Sequence, residues 1–204
     1  MGDWGEPPFP GLTKPQENDL RYLAMTNGLR QLPGFTLPST QKAVISPKVT
    51  STLNLAVLTV PVRQPLANEV IVRVCYTWIC RSDACFSTGL LAGYPTTDHI
   101  AGHEGIGHVV KAGTPELFGR FVGLRYRAQP VVTAHTVLKE YLTVPANCLL
   151  LIPDELINRA PEPAMLCGAL CSGAAALVAV HAQSVVVVVG AGGAIGHYAA
   201  SISK

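Results

Sequence analysis

Cys80 opens the run Cys-Arg-Ser-Asp at residues 80–83, and about twenty residues further on stands Gly102-His103-Glu104-Gly105. Cys167 follows much later, inside an apolar stretch. Two thiolates and an imidazole suit a borderline-soft zinc ion, and three protein ligands leave a fourth position for water or substrate. Singly these residues say less, because Cys is commonly a small buried hydrophobe and a lone His a satisfied core or surface residue. Separations this long also lack the specificity of a paired Cys-x-x-Cys, so the neighbouring residues carry the weight. A second pattern comes at Gly190, Gly193 and Gly196, a Gly-x-x-Gly-x-x-Gly turn directly behind five valines, residues 185–189. Such a turn lets backbone N–H groups reach a pyrophosphate at a helix N-terminus, where the dipole favours an anion. A tight strand-to-helix connection with no ligand would use glycines as well.

Strands and helices must hold these residues. Short apolar runs cut by turn residues predict strands at Ala43 to Ser46, Leu53 to Val60, Glu69 to Tyr76, Gly105 to Val110, Phe121 to Arg125, Leu138 to Val144 and Cys148 to Ile152. That series implies a β-rich, barrel-like domain over 41–160. Glu162 to Val180 reads as a helix, Val185 to Val189 as a strand buried on both faces as in a parallel sheet, and His197 to Lys204 as a helix. Residues 161–204 are thus expected to be a linking helix and the first strand-turn-helix of a second, truncated domain. Residues 1–40 form an irregular arm rich in proline, including Pro7, Pro8, Pro10, Pro33 and Pro38. There is no internal repeat.

Composition narrows the partners. The chain has 204 residues, 49% of them apolar and 14% charged, and its mean hydropathy is +0.32, a balance that excludes bulk disorder. Fifteen Lys and Arg against 13 Asp and Glu leave a net charge of +2 without a basic stripe, so nucleic acid is not an expected partner. No charged-then-apolar signal opens the sequence, which points to the cytoplasm and to reduced thiols for the six Cys. Ala164 to Val180 is apolar but short and broken by Gly168, Ser172 and Gly173, so it reads as a buried helix rather than a membrane span.

Residues 42–204 resemble the zinc-containing medium-chain alcohol dehydrogenases. The likeness is carried by Ile79-Cys-Arg-Ser-Asp83 with Ser87-Thr-Gly89, by Gly102-His-Glu-Gly-Ile-Gly107, and by Leu138 to Val144 with Ile152-Pro-Asp154. Met165-Leu-Cys-Gly168 and the glycine turn follow in the family's order. The resemblance implies a GroES-like β-rich barrel followed by a truncated Rossmann cofactor domain, an α+β and α/β architecture. It implies hydride transfer between a small alcohol or aldehyde and NAD or NADP. Cys80, His103 and Cys167 would hold one zinc, with Cys171 the rival for the third place and Glu104 a carboxylate close behind the metal. Ser82 would start the proton relay, and Asp83 would accept a hydrogen bond from the far nitrogen of His103, which fixes its tautomer. Arg81 would face the cofactor pyrophosphate, as would Gly190, Gly193 and Gly196. Cys75, Cys85 and Cys148 are left as packing residues.

The sequence departs from that family in three places. No Cys-rich lobe lies between Val122 and Leu138, so a second, structural zinc is not expected. Arg125 to Ala134 makes a short connection that alters the substrate cleft. The sequence stops before the residue that selects NAD or NADP, and Val185 to Val189 would expose an apolar edge, which predicts low turnover and an oligomer through that end. Two other readings stand beside the dehydrogenase. One is a non-catalytic zinc-binding or interaction module, and the other is a zinc-free enoyl or quinone reductase relative, which has no need of Cys80 together with His103.

Overall fold

The computed structural model describes residues 28–90, 99–121, 125–128, 137–151, 168–178 and 180–203. The predicted arm before residue 28 and Cys167 lie outside them. The elements run β1 (Thr40–Ser46), β2 (Ala56–Pro61), β3 (Glu69–Trp78), α1 (Arg81–Ser87), β4 (His99–Ile100), β5 (Glu104–Ala112) and α2 (Pro115–Phe121). Then come β6 (Arg125–Ala128), β7 (Tyr141–Pro145), β8 (Leu149–Leu151), α3 (Ala169–Ala175) and α4 (Ala194–Ile202).

A five-stranded sheet in the order β7-β3-β5-β6-β8 carries the core, and a three-stranded sheet in the order β2-β1-β4 stands beside it. Every pairing is antiparallel. β3 lies inside the larger sheet, so its first half, Val70-Ile71-Val72, is buried as a continuous run instead of alternating. These residues pack with Val109, Val110, Leu142, Val144 and Phe118. Phe118 comes from α2, a helix begun by Thr114, whose hydroxyl accepts the Leu117 N–H (3.2 Å), and by Pro115 at its first position.

One register positions the site. β3 and β5 are antiparallel with Trp78 opposite Glu104 and Thr77 opposite Gly105. The chain leaving β3 therefore meets the chain entering β5, and Cys80 is brought to His103 across the whole of α1 and β4. The backbone just before His103 is pinned as well. Ala101 N–H donates to the Val44 carbonyl (3.0 Å), Leu138 N–H to Ala101 (3.0 Å) and Val137 N–H to Gly102 (3.1 Å).

Four sequence expectations are corrected. Phe121 ends α2, and the strand placed at Phe121 to Arg125 begins instead at Arg125, because Thr114-Pro115-Glu116 starts a helix whose Leu117, Phe118 and Phe121 share a face. Leu53 to Leu55 lie outside β2. The helix expected from Glu162 to Val180 is, in its described part, helical only at Ala169–Ala175. Val185 to Val189 form no strand, and Val185, Val187 and Val189 are 91%, 83% and 94% exposed. A strand of that composition needs a neighbour on each side, and among the described residues none lies beside it.

Lys139 makes a β-bridge with Ala43, and burial, reinforced by the Arg63 guanidinium, holds its ammonium down to about 8. The folded state therefore binds this proton less tightly than the unfolded chain, so stability rises as pH climbs from about 8 toward 10.5. Lys139→Met is expected to raise the melting temperature by roughly 3 °C at pH 7, with the gain shrinking above pH 10. Thermal melts of both chains at the two pH values check it.

Candidate functional site

Asp83 organises the site. Cys80 precedes α1 with extended backbone (φ −97°, ψ 155°), and its N–H donates to Asp83 Oδ2 (2.9 Å), so the carboxylate caps the helix three residues after the cysteine. The other oxygen, Oδ1, accepts the Gly102 N–H (2.8 Å) and lies 3.2 Å from His103 Nδ1. One buried carboxylate thus ties the cysteine turn, the strand entry and the imidazole together. Gly102 has φ +90°, and a β-carbon there would stand 2.9 Å from the Leu138 nitrogen, so both conformation and space call for glycine.

With Nδ1–H directed at Asp83, the His103 Nε2 faces Cys80 and Glu104, 3.8 Å from Glu104 Oε1. The donor atoms of Cys80, His103 and Glu104 all lie within 4.8 Å of one another. Donors around a tetrahedral zinc at 2.0–2.3 Å stand about 3.5 Å apart, so a slight contraction closes this set on an ion. Phe86 covers the imidazole edge-on at 6.4 Å, and the Thr77 hydroxyl donates to the Glu104 carbonyl (3.0 Å).

The electrostatics suit a cation. The hydrogen bond to Asp83 lifts the His103 imidazole to about 9, against the opposing effect of burial. Burial works to raise the Asp83 carboxyl, yet the hydrogen bonds from His103, Cys80 and Gly102 outweigh it and leave its pKa below the ordinary value. Burial raises that of Glu104. The Nε2 side of the imidazole therefore faces one carboxylate, Glu104, and the Cys80 sulfur, while Asp83 holds Nδ1, so a metal ion would take the place of the Nε2 proton.

Of the residues singled out in the sequence, Cys80, Asp83, His103 and Glu104 meet here. Ser82 adjoins them, its Oγ 3.6 Å from Cys80 Sγ, and Arg81 is exposed on the first turn of α1. Cys171 falls in α3, whereas Cys167 lies outside the described residues. The glycine turn opens a helix but has no strand in front of it. Gly190 has φ +83°, Gly193 N–H donates to Gly190 O (3.0 Å), and Gly193 caps α4. Cys75, expected as a packing residue, is exposed, because the outer half of β3 alternates once it passes the core. Sequence reasoning missed Gly168, whose backbone stands against the Glu104 carboxylate. The adjacent Met165-Leu-Cys run drew attention to the thiol alone.

The alcohol dehydrogenase GroES-like domain profile matches residues 66–154. An alcohol dehydrogenase of Schizosaccharomyces pombe is 28% identical over 83% of this chain and 55% of its own length. The cobalt- and zinc-bound thermostable alcohol dehydrogenase of Pyrobaculum aerophilum superposes with a TM-score of 0.63 at 26% identity, covering 80% of this chain and 55% of that one. A Mesorhizobium loti protein assigned to the NADPH:quinone reductases shares the fold, with a TM-score of 0.56 at 24% identity over 69% of this chain and 44% of that one. The chain spans about half the length of the curated relatives it matches. No described helix is long and apolar enough to cross a membrane.

Proposed function

We propose that this chain, whose residues 66–154 belong to the alcohol dehydrogenase GroES-like domains, is a zinc-binding oxidoreductase of that superfamily. It acts between a small alcohol or aldehyde and NAD or NADP. The observation that supports this reading is the convergence of Cys80, His103 and Glu104 donor atoms within 4.8 Å, with Asp83 behind the imidazole. A zinc-free reductase has no use for that set. Cys167, which lies outside the described residues, is proposed as the third protein ligand from the resemblance of Met165-Leu-Cys-Gly168 to the family.

Zinc held there would polarise the substrate oxygen as a Lewis acid. The chain's own residues do the rest. Asp83 fixes the His103 tautomer so that Nε2 stays available, and the buried Glu104 carboxylate would offer a further oxygen to a metal held there. Ser82, beside Cys80, would start a proton relay, its Oγ accepting the substrate hydroxyl proton as its own proton passes on to solvent. Arg81 and the turn of Gly190, Gly193 and Gly196 bind the cofactor pyrophosphate, one as a fixed guanidinium and the other through backbone N–H groups.

The exposed Val185 to Val189 segment favours a second reading, a zinc module that associates with another chain through that edge and turns over little. One experiment separates them. Protein purified without chelator is assayed for zinc by elemental analysis, for alcohol-dependent nicotinamide reduction, and for mass by sizing chromatography. One zinc per chain with turnover supports the dehydrogenase, and one zinc in a non-reducing oligomer supports the module. A folded parent without zinc removes both.

A further inference from the structure

Gly168 occupies a position whose backbone any residue adopts, φ −93° and ψ −54°, at the start of α3. Conformation does not call for glycine there, but space does. A β-carbon at Gly168 would overlap Glu104 Oε1 and stand 2.8 Å from its Cδ. Glu104 has little room to withdraw. It is 4% exposed, it pairs with Trp78 across β3 and β5, and its carbonyl accepts the Thr77 hydroxyl. On its other side Oε1 looks at His103 Nε2, 3.8 Å away. The carboxylate is thus held between the bare backbone of α3 and the imidazole.

We propose that Gly168 is a positioning residue, the back wall that keeps the Glu104 carboxylate turned toward His103 and Cys80. It acts through Glu104 and touches no substrate. The steric half of this statement stands on the metal-free protein, and the half that concerns metal geometry rests on the zinc reading above. Any side chain at Gly168 would push Glu104 off the imidazole.

A double-mutant cycle on the full 204-residue chain tests it, with the parent, Gly168→Ala, Glu104→Ala and the double variant melted in the presence of chelator. Gly168→Ala is expected to lower the melting temperature by roughly 5 °C beside Glu104 and by less than about a third of that beside alanine, where the overlap is gone. An equal fall in both backgrounds overturns the proposal, leaving the glycine a property of α3 alone. Should Gly168→Ala not fold, recovery in the double variant supports the wall, and failure there while Glu104→Ala folds overturns it.

Cobalt(II) chloride then reports the geometry. Gly168→Ala is expected to shift the visible bands of the cobalt-loaded parent, and Gly168→Ala with Glu104→Asp, one methylene shorter, to restore them. Identical spectra for the parent and Gly168→Ala overturn the positioning role. A parent that takes up neither cobalt nor zinc, while the melting coupling persists, removes the metal reading and leaves the wall in place.

Discussion

Cys80→Ala and His103→Ala are each expected to strip zinc from a parent that carries one ion per chain, lowering its affinity about a thousandfold. Zinc held by a few donors is worth roughly 12 kcal/mol, so one lost donor removes about a third of that, near 4 kcal/mol. Competition with a chromogenic chelator measures the change, and far-ultraviolet circular dichroism shows whether the fold survives. The pH dependence sharpens the test. Hydrogen bonding to Asp83 raises the His103 imidazole to about 9, so below that pH the ion must displace a proton. Affinity should therefore climb about tenfold per pH unit from 7 toward 9 on account of this residue. His103→Ala should lose that share of the slope, and an unchanged slope would place the ion elsewhere.

The largest fall in stability is expected for Asp83→Ala, about 3–5 kcal/mol by urea denaturation of the metal-free chain. Its carboxylate is 4% exposed and accepts from Cys80 N–H, Gly102 N–H and His103. Alanine leaves two backbone donors unpaired at about 1–3 kcal/mol each, besides the imidazole. Asp83→Asn keeps an oxygen for one of them and should cost roughly half as much, while still weakening zinc about 10- to 100-fold through the altered imidazole. The pH profile separates the two partners. The Asp83 contribution, with its folded pKa lowered from 3.8, is present above that value and lost as pH falls through the folded one. The His103 contribution is fully present below 6.5 and lost as pH rises through about 9. Asp83→Ala should abolish both limbs.

Much of the β-rich domain was legible because β1, β3, β5 and β7 are short apolar runs bounded by turn residues, and such runs report strands without knowledge of their partners. Cys80, Asp83, His103 and Glu104 were legible as two short motifs, although only the β3–β5 register explains why they meet. Val185 to Val189 misled for the opposite reason. Five valines state a preference for a buried strand, but burial is supplied by neighbours, and the described residues offer none. Phe121 was read as strand because its apolar flanks outweighed the Thr114-Pro115 helix start. Gly168 was illegible because its role is a close approach between segments far apart in sequence, which no local pattern encodes.

β3 and β5, the strands that bring Cys80 to His103, are interior to the five-stranded sheet, whereas the turn from Gly190 to Gly193 sits beside exposed valines. The two halves of the proposed chemistry are therefore attached to parts of the molecule that open at different free energies. Drawing Cys80 and His103 far apart would require parting the interior β3–β5 pair, whereas the turn at Gly190 to Gly193 has exposed valines beside it. On the proposed reading, release of a nucleotide and release of an ion would then be separate events, the ion outlasting openings of the turn.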